Sequence, residues 1–541
     1  MNRGAGAPDD PFESAASAFD EGRIGDSEAM CRRILKQDPV NIDAICLLSD
    51  VAQKYGRTKE ANALLSRAVE VAPDFAYARL KLAHVLHERL ALDAALEQLD
   101  HLKRLDIAGA WSLNRLVLTG HIFTRMGRNE QAIANYEAAL AHNPDSVGLL
   151  MSLGHARKTL GDLSGAVAAY RAVVAAAPGH GDAWWSLANL KTFRFSAADI
   201  DTMREQALSD AISRDDFFHT SFALGKALED AGEFEQAFVW YQRGNAVRRR
   251  LVRYSAKRNR DDIEAIISFF TKPRLQSFDV AGASDPAPIF VVGLPRAGST
   301  LIEQILASHS FVEGTQELPD LMSIAIRLSG RKHLDEASAY PGILADMSPA
   351  ALRQLGEEYL ERTRVHRSGA PYFIDKLPNN FMHVGLLHLI LPNAKVIDAR
   401  RNPMDCCFSC YKQLFAKGQN FTYSLKEIGA YYHDYLYLME HWDRVLPGKV
   451  LRVLNEDVIS DPEGQIRRLL AYCRLPFEAS CLSFYENQRP VRTPSADQVR
   501  RPVNAKGVGR WRAFEAQLMP LAEALEDAGQ RWNAPQFGEK K

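Results

Sequence analysis

Long apolar runs are missing from this sequence. No window approaches the roughly 18 apolar residues that a membrane-crossing helix needs, so no membrane span is expected. Residues 1–10 lack the apolar core of a secretory signal peptide. Excess charge of either sign is missing too, with 66 Lys and Arg against 67 Asp and Glu. That balance excludes a global electrostatic footprint for nucleic acid or a membrane surface, so any anion site must be local. Cysteine is sparse: the seven have no regular spacing, which argues against a disulfide framework and for a reducing compartment, the cytoplasm. At 541 residues the chain is too long for one ordinary domain, and two or three are expected.

A further absence is local. Residues 288–306 read as an apolar strand (Ile289 to Val292), a loop bounded by Gly293 and Gly298, and an apolar-periodic helix. Such a unit aims backbone N–H groups and a helix N-terminus at one small volume, which suits a phosphate. The spacing is that of a nucleotide P-loop, but Ser299 stands where the lysine belongs. A loop without that lysine is poorly equipped to hold a triphosphate. Asp398 after Val396-Ile397 mimics a Mg²⁺-binding acid, a reading that fails without the lysine. Cys406, Cys407 and Cys410 offer poor tetrahedral geometry on one helix and no partner pair follows, so they read as buried thiols and no metal site is expected.

The first half holds a repeat. Pro39 and Pro73 are 34 residues apart, as are Pro144 and Pro178, Gly22 and Gly56, and Gly127 and Gly161. Five residues after Gly56, Gly127, Gly161 and Gly232 come Ala61, Ala132, Ala166 and Ala237, and four beyond three of these come Tyr136, Tyr170 and Tyr241. Leu153-Gly154 and Leu224-Gly225 precede Gly161 and Gly232 by seven residues. This pattern resembles the tetratricopeptide repeat. Small residues would let the two helices of a unit approach, glycine would turn the chain, and units must stack to bury their apolar faces. An all-α solenoid is therefore expected over 8–250, weakest at 8–39 and 76–112, with a protein partner on its surface. The basic run 246–262 reads as a solvated helix end, and 251–287 as a connecting helix and linker.

From 288 to 535 the pattern becomes α/β. Short β-branched runs at 289–292, 396–398 and 450–454 alternate with helical stretches, predicting a mainly parallel, P-loop-like sheet with its site at the carboxyl ends of the strands. Arg401 falls just past a strand and Ser409 about two turns along the next helix, a pairing suited to a second phosphate. A basic, Gly-containing loop follows at 495–511.

At these residues the chain resembles the PAPS-dependent sulfotransferases. ProArgAlaGlySerThrLeu is similar to their 5′-phosphosulfate loop, and ArgAsnProMetAspCysCysPheSer to their 3′-phosphate motif, R-x7-S. The likeness is greatest to the tyrosylprotein sulfotransferases, whose G-E-E, K-x-P and S-T-D-Q-V-x-K-P-V-N stand here as GlyThrGlnGlu, LysLeuPro and SerAlaAspGlnValArgArgProValAsn. The resemblance spans about 288–515, and repeat-plus-transferase chains of this kind are associated with bacteria. It implies PAPS as co-substrate, PAP as product, no metal requirement, and a hydroxyl acceptor, with a protein or peptide tyrosine presented by the repeats as one option. It implies Glu317, 21 residues after Arg296, as catalytic base, with Arg296, Lys376 and Ser495 stabilising the leaving group. Arg296, Ala297, Gly298, Ser299, Thr300, Arg401, Ser409 and Arg510 would bind the donor. The first acid of G-E-E is Gln316 here, and Asn455 replaces a tyrosine near the nucleotide. The alternatives are a P-loop kinase or NTPase, and a non-catalytic nucleotide-binding scaffold. His309 reads as structural, and the tyrosines around Tyr431 and Tyr435 as a packing face.

Overall fold

The computed structural model describes residues 10–106, 108–278, 282–331, 336–416, 418–487, 489 and 498–536. The chain forms two compact units, residues 1–177 and 178–541.

The first unit is a run of antiparallel helical hairpins from Pro11–Asp20 to Leu163–Ala176. Its repeat signature has a steric cause. A methyl group on Gly120 would lie 2.5 Å from the Tyr136 ring, and one on Gly154 the same distance from Tyr170. Only glycine lets the two helices of a hairpin close over a tyrosine. Ala61, Ala132 and Ala166 are fully buried in the same seams. The turn glycines 22, 56, 127 and 161 all take left-handed backbone, and so does Leu90 (φ 63°), 34 residues after Gly56. A leucine at that turn explains why the repeat is faint over 76–112.

The second unit opens with helices of the same kind: Gly181–Ala188, Ala197–Ala207, Arg214–Asp230 and Phe234–Leu251. Gly225 faces Tyr241 as Gly154 faces Tyr170. These helices are joined to the α/β part by buried contacts. Lys412 Nζ meets Glu229 at 2.7 Å, and Asn245 Nδ2 donates to the Tyr411 carbonyl at 3.0 Å. The basic run departs from its expected solvated state: Arg249 pairs with Glu427 at 2.6 Å, and Arg248 lies over the Phe218 and Tyr423 rings.

The α/β part carries five parallel strands: β1 (Pro288–Gly293), β2 (Val312–Gly314), β3 (Tyr372–Asp375), β4 (Lys395–Arg400) and β5 (Val450–Leu454). Their order in the sheet is β2-β3-β1-β4-β5, and all four neighbour pairs are parallel. Every residue of β1 is buried, as the continuous apolar run of a central strand requires. Ile289, Val291, Ile397 and Val453 pack with Ile302 and Ile305 of the helix Ser299–Leu306. Tyr431, Tyr435 and Trp442 are buried along the helix Leu425–Val445, the packing face expected of them. Asp398 is spent on a buried pair with Arg400 at 2.6 Å, and Arg400 also holds the Trp532 carbonyl at 2.9 Å.

Candidate active site

The sheet order places one candidate group beyond the carboxyl end of each strand. Reading across, Glu317 follows β2, Lys376 follows β3, Arg296 lies in the loop after β1, Arg401 follows β4, and Asn455 follows β5. In open α/β sheets this edge is where ligands bind.

The loop after β1 is held from several sides. A Cβ on Gly293 (φ 134°) would meet the Ala399 carbonyl at 2.3 Å, so β1 and β4 could not approach with any other residue. Gly298 (φ 99°) forms the N-cap of the helix Ser299–Leu306, beside Asn455 Oδ1. The Cys406 and Cys410 thiols donate to the Pro295 carbonyl at 3.4 and 3.1 Å. Burial pushes the Cys410 thiol well up, so it stays a neutral donor. Those cysteines are buried as expected, and they also fasten the loop.

Arg296 and Arg401 converge. Arg296 Nε donates to Ser409 Oγ at 3.1 Å, and Arg401 Nη1 to the Arg296 carbonyl at 3.4 Å. Burial, and then the neighbouring Arg401 charge, draw the Arg296 pKa below its usual value, although a guanidinium remains protonated. Two like charges held this close mark a place prepared for an anion. Asp405 accepts from the Gly509 and Trp511 N–H groups at 2.6 and 3.4 Å, which positions Arg510 between them. Arg510 Nη2 in turn reaches Glu229 Oε1 at 3.0 Å. Burial alone would raise the Glu229 carboxyl, but Lys412 and Arg510 outweigh it and hold it below the usual range.

These groups enclose a cavity of about 530 Å³ whose walls include Gly298, Ser299, Thr300, Arg296, Arg401 and Arg510. Lys191, Arg194, Arg501 and Lys506 add further positive charge, and among the described residues no carboxylate lines it. A recess of about 140 Å³ shares Arg296, Arg401 and Arg510 with that cavity and adds Ser409 and Lys412. Ala297 lines neither; it is buried and its N–H donates to the Leu294 carbonyl. Ser495 lies outside the described residues.

Glu317 and Lys376 form a separate pair at 2.5 Å, on the β2–β3 side of the loop. The lysine is 2% exposed and the glutamate 49%, so a buried cation steadies an accessible carboxylate. Neither side chain lines the cation-rich cavity. His309 is structural as read: Nδ1 accepts from the Phe311 N–H at 3.0 Å and Nε2 bonds the Pro476 carbonyl at 3.0 Å. Lys191 and Arg194 were missed from sequence. They sit on the turn after the helix Gly181–Ala188, with no motif around them.

Residues 288–479 match the sulfotransferase family model. The chain carries a sulfotransferase-family domain. Tetratricopeptide-repeat models match 18–81, 118–181 and 151–190. The chain is 28% identical over 540 residues to an uncharacterised protein of Aquifex aeolicus, covering 96% of this chain and 70% of that one. It is 24% identical over 238 residues to the protein-tyrosine sulfotransferase of Drosophila melanogaster, covering 41% of this chain and 46% of that enzyme. Among solved structures, PilF of Pseudomonas aeruginosa is similar at 18% identity and a TM-score of 0.33, over 37% of this chain and 87% of that one. Among the described residues of the sulfotransferase-bearing chain, no helix is long and apolar enough to cross a membrane.

Proposed function

We propose that this chain transfers the sulfuryl group of PAPS to a hydroxyl acceptor, and that a protein tyrosine is the acceptor class. The observation that carries the donor half is the cavity: cationic walls without a carboxylate among the described residues, built on a glycine-bounded loop whose P-loop lysine is replaced by Ser299. PAPS supplies an activated sulfuryl group on a carrier with two separate phosphate positions. Gly298, Ser299, Thr300 and Arg296 would hold the 5′ end, and Arg401 with Ser409 the 3′-phosphate. Arg510 adds positive charge where the two regions meet. Cations preorganised in this way stabilise the charge that develops on a leaving phosphosulfate.

Glu317 is the proposed base, taking the acceptor proton while Lys376 fixes the carboxylate. The acceptor half rests on the likeness to a protein-tyrosine sulfotransferase, with the repeat helices of the first unit as the surface that receives the protein. Calorimetric titration tests the donor reading. Adenosine 3′,5′-bisphosphate should bind without Mg²⁺ and ATP far more weakly; ATP binding that is tighter and needs Mg²⁺ would overturn it in favour of a P-loop kinase or NTPase. Labelled donor incubated with tyrosine-containing and tyrosine-free peptides tests the acceptor class.

A further inference from the structure

The helices preceding the sulfotransferase domain reach its donor cavity through one turn. After the helix Gly181–Ala188 the chain enters Lys191 with left-handed backbone (φ 62°). That conformation is uncommon outside Gly, Asn and Asp, and residues held in it gather at ligand sites. Among the described residues five non-glycines have positive φ; two of them, Lys191 and Arg296, line the same cavity.

Hydrogen bonds tie this turn to the segment that follows the helix Pro403–Tyr411, which carries Ser409. Lys191 Nζ donates to Gln413 Oε1 at 3.1 Å, and Gln413 Nε2 donates to Asn189 Oδ1 at 3.3 Å. Gln413 lies two residues past the end of that helix and four past Ser409. Lys191 therefore borders both the large cavity and the smaller recess that holds Ser409 and Arg401. The two carboxylates of that recess are already engaged, Glu229 by Lys412 and Arg510 of the same recess and Asp405 by backbone N–H groups, while Lys191, Lys226, Arg296 and Arg401 add four more cations. Local charge thus favours a dianion, and an ammonium with three donors can hold Gln413 and a phosphate oxygen together.

We propose that Lys191 binds the 3′-phosphate of the donor, so that a residue outside the sulfotransferase domain selects nucleotides phosphorylated at that position. The proposal rests on the donor reading above. The test compares full-length wild type with Lys191→Gln and Lys191→Ala, titrated with adenosine 3′,5′-bisphosphate and with adenosine 5′-monophosphate. Loss of one charge-assisted contact should weaken the bisphosphate about 10- to 100-fold and leave the monophosphate unchanged. Equal weakening of both ligands, or of neither, would overturn the assignment, because a merely structural lysine would not discriminate between them. Wild-type protein with no preference for the bisphosphate would instead refute the donor reading, and this inference with it.

Discussion

At the scale of single residues, the proposed site divides into groups that would hold a charge and one that would move a proton. Glu317→Ala should leave the affinity for adenosine 3′,5′-bisphosphate intact and reduce turnover by about 10²- to 10⁴-fold, the usual worth of a general base. Affinity lost in parallel with turnover would place Glu317 in donor binding instead. Asp375, the residue before Lys376, makes a different prediction. Burial pushes its carboxyl up to about 8 from an ordinary 3.8, against the opposing pull of the Tyr359 hydroxyl, which donates to Oδ2 at 2.8 Å. The folded state therefore keeps a proton that the unfolded chain releases near pH 4. Stability falls as pH rises between those values, at no more than about 1.4 kcal/mol per pH unit. Asp375→Asn cannot ionise and should escape that decline. Urea melts at pH 5 and pH 8 should show the variant gaining on wild type at the higher pH; parallel behaviour would show that Asp375 ionises freely. The sequence made Arg296, Arg401, Ser409 and Glu317 legible because each sits in a spaced motif. Nothing local marked Lys191, which acquires its place only through tertiary contact.

At the scale of elements, the repeats were readable because sterics enforce them: a glycine must stand sixteen residues before each seam tyrosine, as at Gly154 and Tyr170 or Gly225 and Tyr241. Gly225→Ala places a methyl 2.8 Å from the Tyr241 ring and should destabilise by about 1–3 kcal/mol, the range for overpacking a core. Denaturant unfolding would measure it, and an unchanged midpoint would mean that the seam has slack. Strands β2 and β3 escaped the sequence reading because they are three and four residues long. Neither is long enough to show a periodicity. Strands β1, β4 and β5, with their β-branched runs, were found, and the missing pair is the one beside Glu317 and Lys376.

At the scale of the whole molecule, composition marked a change near residue 288, whereas packing places 178–251 with the sulfotransferase-bearing unit. The reason is a set of long-range polar contacts, Glu229 with Lys412 and Arg510 chief among them, that no local pattern announces. Glu229→Gln would leave the buried Lys412 ammonium short of its counter-charge. Breaking such a pair typically costs about 3–5 kcal/mol, so a clear fall in melting temperature is expected. A melt indistinguishable from wild type would show that the helices dock without this pair.

Sheet order has one more consequence. Because β1 runs down the middle, the connections after β1, β4 and β5 carry the groups proposed to grip the nucleotide, while the short strands β2 and β3, on the other side of β1, carry those proposed to meet the incoming hydroxyl. Two independent sets of connections therefore serve the two halves of one exchange. On the proposed reading, descendants of this chain could change the customer without rebuilding the supplier: substitutions at 315–316 and 377–383, around a retained Glu317 and Lys376, would retune acceptance and leave donor recognition as it is.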